Sequence, residues 1–121
     1  MTAKTVLIVD DSRVARMVVI GLTGKIRPDW SLREAASADE ALVIIEETAI
    51  DLALIDNAMP GMSGLELVER LRRSNPDLAI ALITANIQDA VRRKAESLGV
   101  GFVEKPATEG KLEVVYAGID S

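Results

Sequence analysis

The stretch LALIDNAMPGMSGLEL, residues 52–67, decides the reading of this chain. It opens on four apolar side chains in a row, stops at Asp56, crosses a loop containing Pro60, and resumes after Ser63 with Leu67 and Val68. An unbroken apolar run of this length reads as a strand buried on both faces, because a half-exposed strand would alternate with polar residues. A serine just ahead of an apolar stripe is a helix start signal. The unit is therefore strand, loop, helix, with a carboxylate where the strand ends.

Outward from that stretch the same unit recurs. VLIV (6–9), LAIALI (78–83) and VGFV (100–103) are further buried-strand runs. Residues 30–35 set Trp30, Leu32 and Ala35 among Ser31, Arg33 and Glu34, which reads as a half-exposed edge strand. Between the runs lie stripes at helical spacing. The first is Val14, Met17, Val18, Gly21 and Leu22; the second is Ala38, Ala41, Leu42 and Ile45. Leu67, Val68 and Leu71 form the third, Ile87, Val91, Ala95 and Leu98 the fourth, and Leu112, Val115, Tyr116 and Ile119 the fifth. Ser12 and Ser37 supply two more start signals, with Glu40 completing a capping box, and Gly99 falls where the fourth helix should stop. Five strands alternating with five helices predict an α/β (βα)5 fold, a doubly wound parallel sheet with right-handed crossovers and helices on both faces. A length of 121 residues is one domain's worth, so a single domain over 1–121 is expected.

Composition narrows the function. The chain carries 14 Lys+Arg against 19 Asp+Glu, a formal net charge of -5, with no His and no Cys. Disulfide frameworks, thiol nucleophiles, Cys/His zinc sites and histidine acid–base catalysis are excluded, and the chain cannot itself be a phosphohistidine donor. The acidic balance argues against sequence-independent nucleic-acid binding, which needs surplus cations to neutralise phosphates. No apolar run approaches a membrane span and residues 1–5 lack a signal peptide's apolar segment, so a cytoplasmic protein is expected.

Ligands of open parallel sheets bind beyond the carboxyl ends of the strands. There this chain has Asp10 and Asp11 after the first run, Asp56 after the third, Thr84 after the fourth, and Glu104, Lys105 and Pro106 after the last. Carboxylates a few ångströms apart repel by roughly 1 kcal/mol in water and about 4 kcal/mol at a lower effective dielectric. A hard divalent cation relieves that repulsion, and Mg²⁺ favours one or two carboxylates, several waters and a phosphate. An Asp so placed can act as a nucleophile, with Lys105 and Thr84 meeting the charge and the oxygens of a phosphoryl group. The set reads as Mg²⁺-dependent phosphoryl acceptance on an Asp.

On the motifs VLIVDDSRVAR, LALIDNAMPGMSGLEL, ALITAN and VGFVEKP, the chain resembles a receiver domain of the two-component response regulators along essentially its whole length. The resemblance implies a flavodoxin-like sheet in the order 2-1-3-4-5. It implies Asp56 as phosphoacceptor, and Asp10, Asp11, Asp56 and the backbone carbonyl of Ala58 as Mg²⁺ ligands. Lys105 matches the family's lysine, with a cis bond to Pro106; Thr84 and Phe102 match the switch pair; Met59, Pro60 and Gly64 match the loop after the acceptor. Ala58 and Asn86 fall where the family tunes the lifetime of the phosphoryl group. The implied function is a stand-alone phosphorylation switch rather than an enzyme, chemotaxis-response-regulator-like. It would be charged by a histidine kinase or phosphotransfer protein and would signal to a protein effector, without contacting nucleic acid or membrane.

Each residue also has a plainer role. Asp10 or Asp11 could cap the first helix, Thr84 could make a local strand-end bond, and Phe102 could be an edge-strand packing residue. Arg92, Arg93 and Lys94 read as a solvated face, and Arg70, Arg72 and Arg73 as cations placed for the helix dipole. Competing functions are a flavin or nucleotide binder, which would carry a Ser/Thr/Gly phosphate loop after the first strand, and an Asp-nucleophile phosphatase, which would carry D-x-D there. A receiver acting by interaction alone, and a receiver excised from a longer DNA-binding regulator, complete the alternatives.

Overall fold

Ten elements alternate along the chain in the computed structural model, which describes residues 3–85 and 88–119. They are β1 (Thr5–Val9), α1 (Arg13–Ile26), β2 (Ser31–Ala35), α2 (Ala38–Glu47), β3 (Leu52–Asp56), α3 (Gly64–Ser74), β4 (Ala79–Thr84), α4 (Asp89–Ser97), β5 (Gly101–Glu104) and α5 (Glu109–Ile119). The strands form one sheet in the order β2-β1-β3-β4-β5, every pair parallel. This is the flavodoxin-like order that the resemblance implied.

The unbroken apolar runs follow from burial on both faces. Val6 and Ile8 of β1 face Val19 of α1 and Leu112 and Tyr116 of α5. Leu7 and Val9 face the other way, toward Ala41 of α2, Leu67 and Leu71 of α3 and Ala95 of α4. The expected starts are made as read. The hydroxyls of Ser12, Ser37 and Ser63 each accept a backbone N–H at 3.2 Å, from Ala15, Glu40 and Glu66. Gly99 follows the end of α4 with φ +70°, a left-handed turn that a Cβ would strain.

Three sequence readings change. Most of the apolar stripe read on α1 faces outward, with Val14 70%, Met17 58% and Val18 49% exposed, while its last member, Leu22, packs against the core. The buried positions are Val19 and Thr23. A threonine disguised that face: its hydroxyl and that of Tyr116 lie 2.6 Å apart, so a polar residue takes a core place by pairing with the one tyrosine. On β2, Trp30, Leu32 and Ala35 do not share one face; Leu32 packs on the α1/α5 side and Ala35 on the other, because Glu34 breaks the alternation. Arg72 does more than answer a helix dipole. Its guanidinium donates to the carbonyls of Pro76, Leu78, Leu98 and Gly99, tying α3 to the turn before β4 and the turn after α4.

The strand register does the work that matters for function. Val9 lies beside Ala35 and Ile55, Asp56 beside Ile83, and Thr84 beside Glu104. The residues that follow the strands therefore emerge along one edge. The phase of α1 can be checked directly by urea unfolding. Val19→Ala should cost about 2 kcal/mol, from two buried carbons and the cavity they leave. Val18→Ala, one residue earlier, should cost less than about 0.5 kcal/mol.

Candidate functional site

Asp10 leaves β1 held at three points. Its N–H donates to the carbonyl of Ala35 at 3.1 Å, its Oδ1 accepts the N–H of Ser12 at 2.9 Å, and its carbonyl accepts Nη1 of Arg16 at 2.6 Å. Asp10 is 5% exposed, whereas Asp11 beside it is open to solvent. Asp56 closes β3 and is 3% exposed. One carboxylate oxygen from each of these three residues lies within 4.8 Å of the others.

Lys105 reaches in from beyond β5. Its Nζ stands 3.0 Å from Oδ1 of Asp56 and 3.7 Å from Oδ2 of Asp10. Its backbone N–H donates to the carbonyl of Thr84 at 2.9 Å, so the last residue of β4 anchors the lysine, and the Lys105–Pro106 bond is cis as expected. On the far side of Asp56, Gly64 begins α3 so close to the strand end that a Cβ there would lie 2.7 Å from the Cα of Asn57. That approach brings the helix directly against the end of β3, and Asn57 fastens it by accepting the N–H groups of Gly64 and Leu65.

The electrostatics are lopsided. Burial pushes the carboxyl of Asp56 above its ordinary range; Lys105 and the N–H of Ala58 pull it back, the neighbouring Asp10 adds to the rise, and the balance stays upward. Burial also works against the ammonium of Lys105, but the carboxylates of Asp56 and Asp10 outweigh it and hold that group above its usual value. One cation is thus well matched by two anions, while the anions want more positive charge than one lysine brings. Oδ1 of Asp56 is buried without a hydrogen-bond partner among the described residues, the lysine lying close but off hydrogen-bond geometry. An all-oxygen donor set, open to water at Asp11 and with an orphaned oxygen inside, suits a hard divalent cation such as Mg²⁺.

Of the residues singled out in the sequence, Asp10, Asp11, Asp56, Lys105 and Thr84 come together at this edge, Thr84 being 7% exposed. Ala58 is exposed in the loop beyond Asp56, with its N–H toward that carboxylate. Phe102 lies apart from the acids, beside Leu82 and half-buried against the α3/α4 side of the core. The guanidinium of Arg92 sits 5.3 Å over its ring, so one of the α4 cations is less idle than its solvated-face reading. Asn86 lies outside the described residues. Arg16 and Glu34 were missed. The signals were an arginine in the first turns of α1 and a glutamate interrupting the alternation of β2. Beside the acids, a hollow of about 180 Å³ is lined by Ala15, Val18, Ile83, Pro106, Asp10 and Lys105.

Known proteins share this sequence pattern and this fold. The model of the response regulator receiver domain matches residues 6–117. The chain is 38% identical over 88% of its length to the cyclic di-GMP phosphodiesterase response regulator RpfG of Xanthomonas campestris, of which it covers 29%. It spans about half or less of the curated relatives it matches. A CheY-like receiver domain protein of Methanospirillum hungatei superposes with a TM-score of 0.88 at 26% identity, over 98% of this chain and 95% of that one. The fold is also that of the chemotaxis protein CheY4 of Vibrio cholerae, with a TM-score of 0.87 at 24% identity, over 98% and 99%. Sequence and fold agree, and the chain belongs to the response regulator receiver domain family.

Proposed function

We propose that this receiver accepts a phosphoryl group on Asp56 from the phosphohistidine of a kinase or phosphotransfer protein. The observation that carries the reading is the buried Asp56 carboxylate, with one oxygen lacking a hydrogen bond, 3.0 Å from Lys105 and grouped with two further acids. In the transfer an oxygen of Asp56 bonds to phosphorus and the bond from phosphorus to the donor's ring nitrogen breaks. The nitrogen leaves with the electron pair as neutral imidazole, its other ring nitrogen carrying the proton. Asp10, Asp11, Asp56 and the carbonyl of Ala58 would hold Mg²⁺, which supplies positive charge beside the transferring oxygens. Lys105 supplies a fixed charge on the opposite side, and the hydroxyl of Thr84 a hydrogen bond to the new group.

The added dianion then draws Thr84 and Lys105 inward. It biases Phe102 and the surface of α4, β5 and α5 toward a state that a protein effector reads. Among the described residues no helix is long and apolar enough to cross a membrane, and the reading places the chain in the cytoplasm. The donor approaches over α1. Val14, Met17 and Val18 are three of the most exposed large apolar side chains among the described residues, and Val18 continues into the hollow beside Asp10 and Lys105.

Three outcomes are expected. Intact-mass spectrometry after acetyl phosphate and Mg²⁺ should show one added phosphoryl group on the wild type, and none on Asp56→Asn or in EDTA. Met17→Asp and Val18→Asp should slow transfer from a protein donor about tenfold while leaving acetyl phosphate labelling unchanged; an equal loss with both donors would remove the docking role. The third concerns stability. With its folded-state pKa raised, Asp56 binds protons more readily folded than unfolded, so its charge subtracts stability as pH rises through that window. In EDTA at neutral pH Asp56→Asn should therefore melt a few degrees higher than the wild type. The gap should narrow toward about pH 4 and reverse when Mg²⁺ stabilises the wild type.

A further inference from the structure

A helix dipole favours anions in its first turn, yet the first turn of α1 carries no acidic residue, and Arg16 follows closely on Arg13. Arg16 is not left in solvent: its side chain is 13% exposed. Nε donates to Oε1 of Glu34 at 2.9 Å and Nη1 to the carbonyl of Asp10 at 2.6 Å. Glu34 stands on β2 in register with Ile8 of β1, at the position where the strand's alternation breaks. Two departures from local preference therefore meet in one contact, and that contact ends on the backbone between the two acids of the site.

We infer that Arg16, held by Glu34, is a positioning residue for the cation site. It fixes the direction of the Asp10–Asp11 peptide so that the exposed carboxylate of Asp11 stays with those of Asp10 and Asp56. This rests on the acceptor reading above. The other two restraints on Asp10, from Ala35 and Ser12, are made to its N–H and its carboxylate; the bond from Arg16 is made to the carbonyl itself. Without the guanidinium, mutual repulsion of three carboxylates swings the least confined of them, Asp11, out into water. A cation must then gather the site before it binds. Lys105 cannot replace this restraint, because it contacts the carboxylates of Asp10 and Asp56 and does not hold the peptide.

Calorimetric titration with Mg²⁺ alone tests the inference, alongside melting in EDTA. Arg16→Met keeps the aliphatic stem and removes the donors; it should raise the Mg²⁺ Kd about tenfold, the usual scale for groups that orient metal ligands. Arg16→Lys, which can satisfy one of the two acceptors, should fall between, and Glu34→Gln should raise the Kd about threefold. Melting in EDTA should change little, and acetyl phosphate labelling of Arg16→Met should recover at saturating Mg²⁺. An unchanged Kd in Arg16→Met, or a Kd change that only follows a collapse in melting temperature, overturns the positioning role. Asp11→Asn serves as the control. If wild type and Asp11→Asn alike bind no Mg²⁺ at millimolar concentration, it is the acceptor reading that fails.

Discussion

Everything at the functional edge is arranged around one buried charge. A carboxylate that is 3% exposed sits beside a second that is 5% exposed, with a single lysine between them. Desolvation and mutual repulsion both disfavour that state, and one ammonium offsets only part of it. A protein selected for stability alone would replace such a cluster with apolar packing. Its persistence makes sense where a cation and a phosphoryl group complete the balance.

The remainder of the fold holds those charges at their distances. β1 and β3 are central strands, packed on both faces and paired on both sides, so Asp10 and Asp56 leave rigid elements side by side. Lys105 leaves the edge strand β5 and needs separate fastening, which its N–H finds on Thr84 of β4. Gly64 allows α3 to press against the strand end at Asp56, and Arg72 fastens the opposite end of that helix to two turns. Placing the site's ionisable groups at or just beyond strand ends, rather than in the middle of the central strands, lets the core stay apolar while the edge stays charged.

The fold was legible because apolar runs and serine caps are local signals. VLIV, LALI, LAIALI and VGFV marked four strands to within a residue of their observed bounds, and all three serine caps hold. The assembled acids and the lysine were equally legible, since parallel strands force whatever follows them to one edge. The phase of α1 was not legible. Its exposed face is as apolar as its buried one, and Thr23 is acceptable in the core only because Tyr116, 93 residues later, meets its hydroxyl. Periodicity cannot see a partner so distant. The same holds for Arg16 and Glu34, and for Arg92 over Phe102, where each charged residue alone reads as solvated.

That misread face is where fold and function meet. An apolar stripe which the core does not use is a cost in solubility, tolerated where another surface covers it. On α1 the stripe lies on the same helix whose N-terminus leads back to Asp10 and Asp11, and whose Arg16 grips the peptide between them. A partner pressing on Val14, Met17 and Val18 would load the helix that positions the acids. Docking and chemistry would then be joined through one rigid element about 20 Å long, given 1.5 Å of rise for each of its 14 residues. On the reading proposed above, the outward apolar face and the inward arginine would be two sides of one device: a helix that meets the donor on one surface and orders the acceptor site from the other.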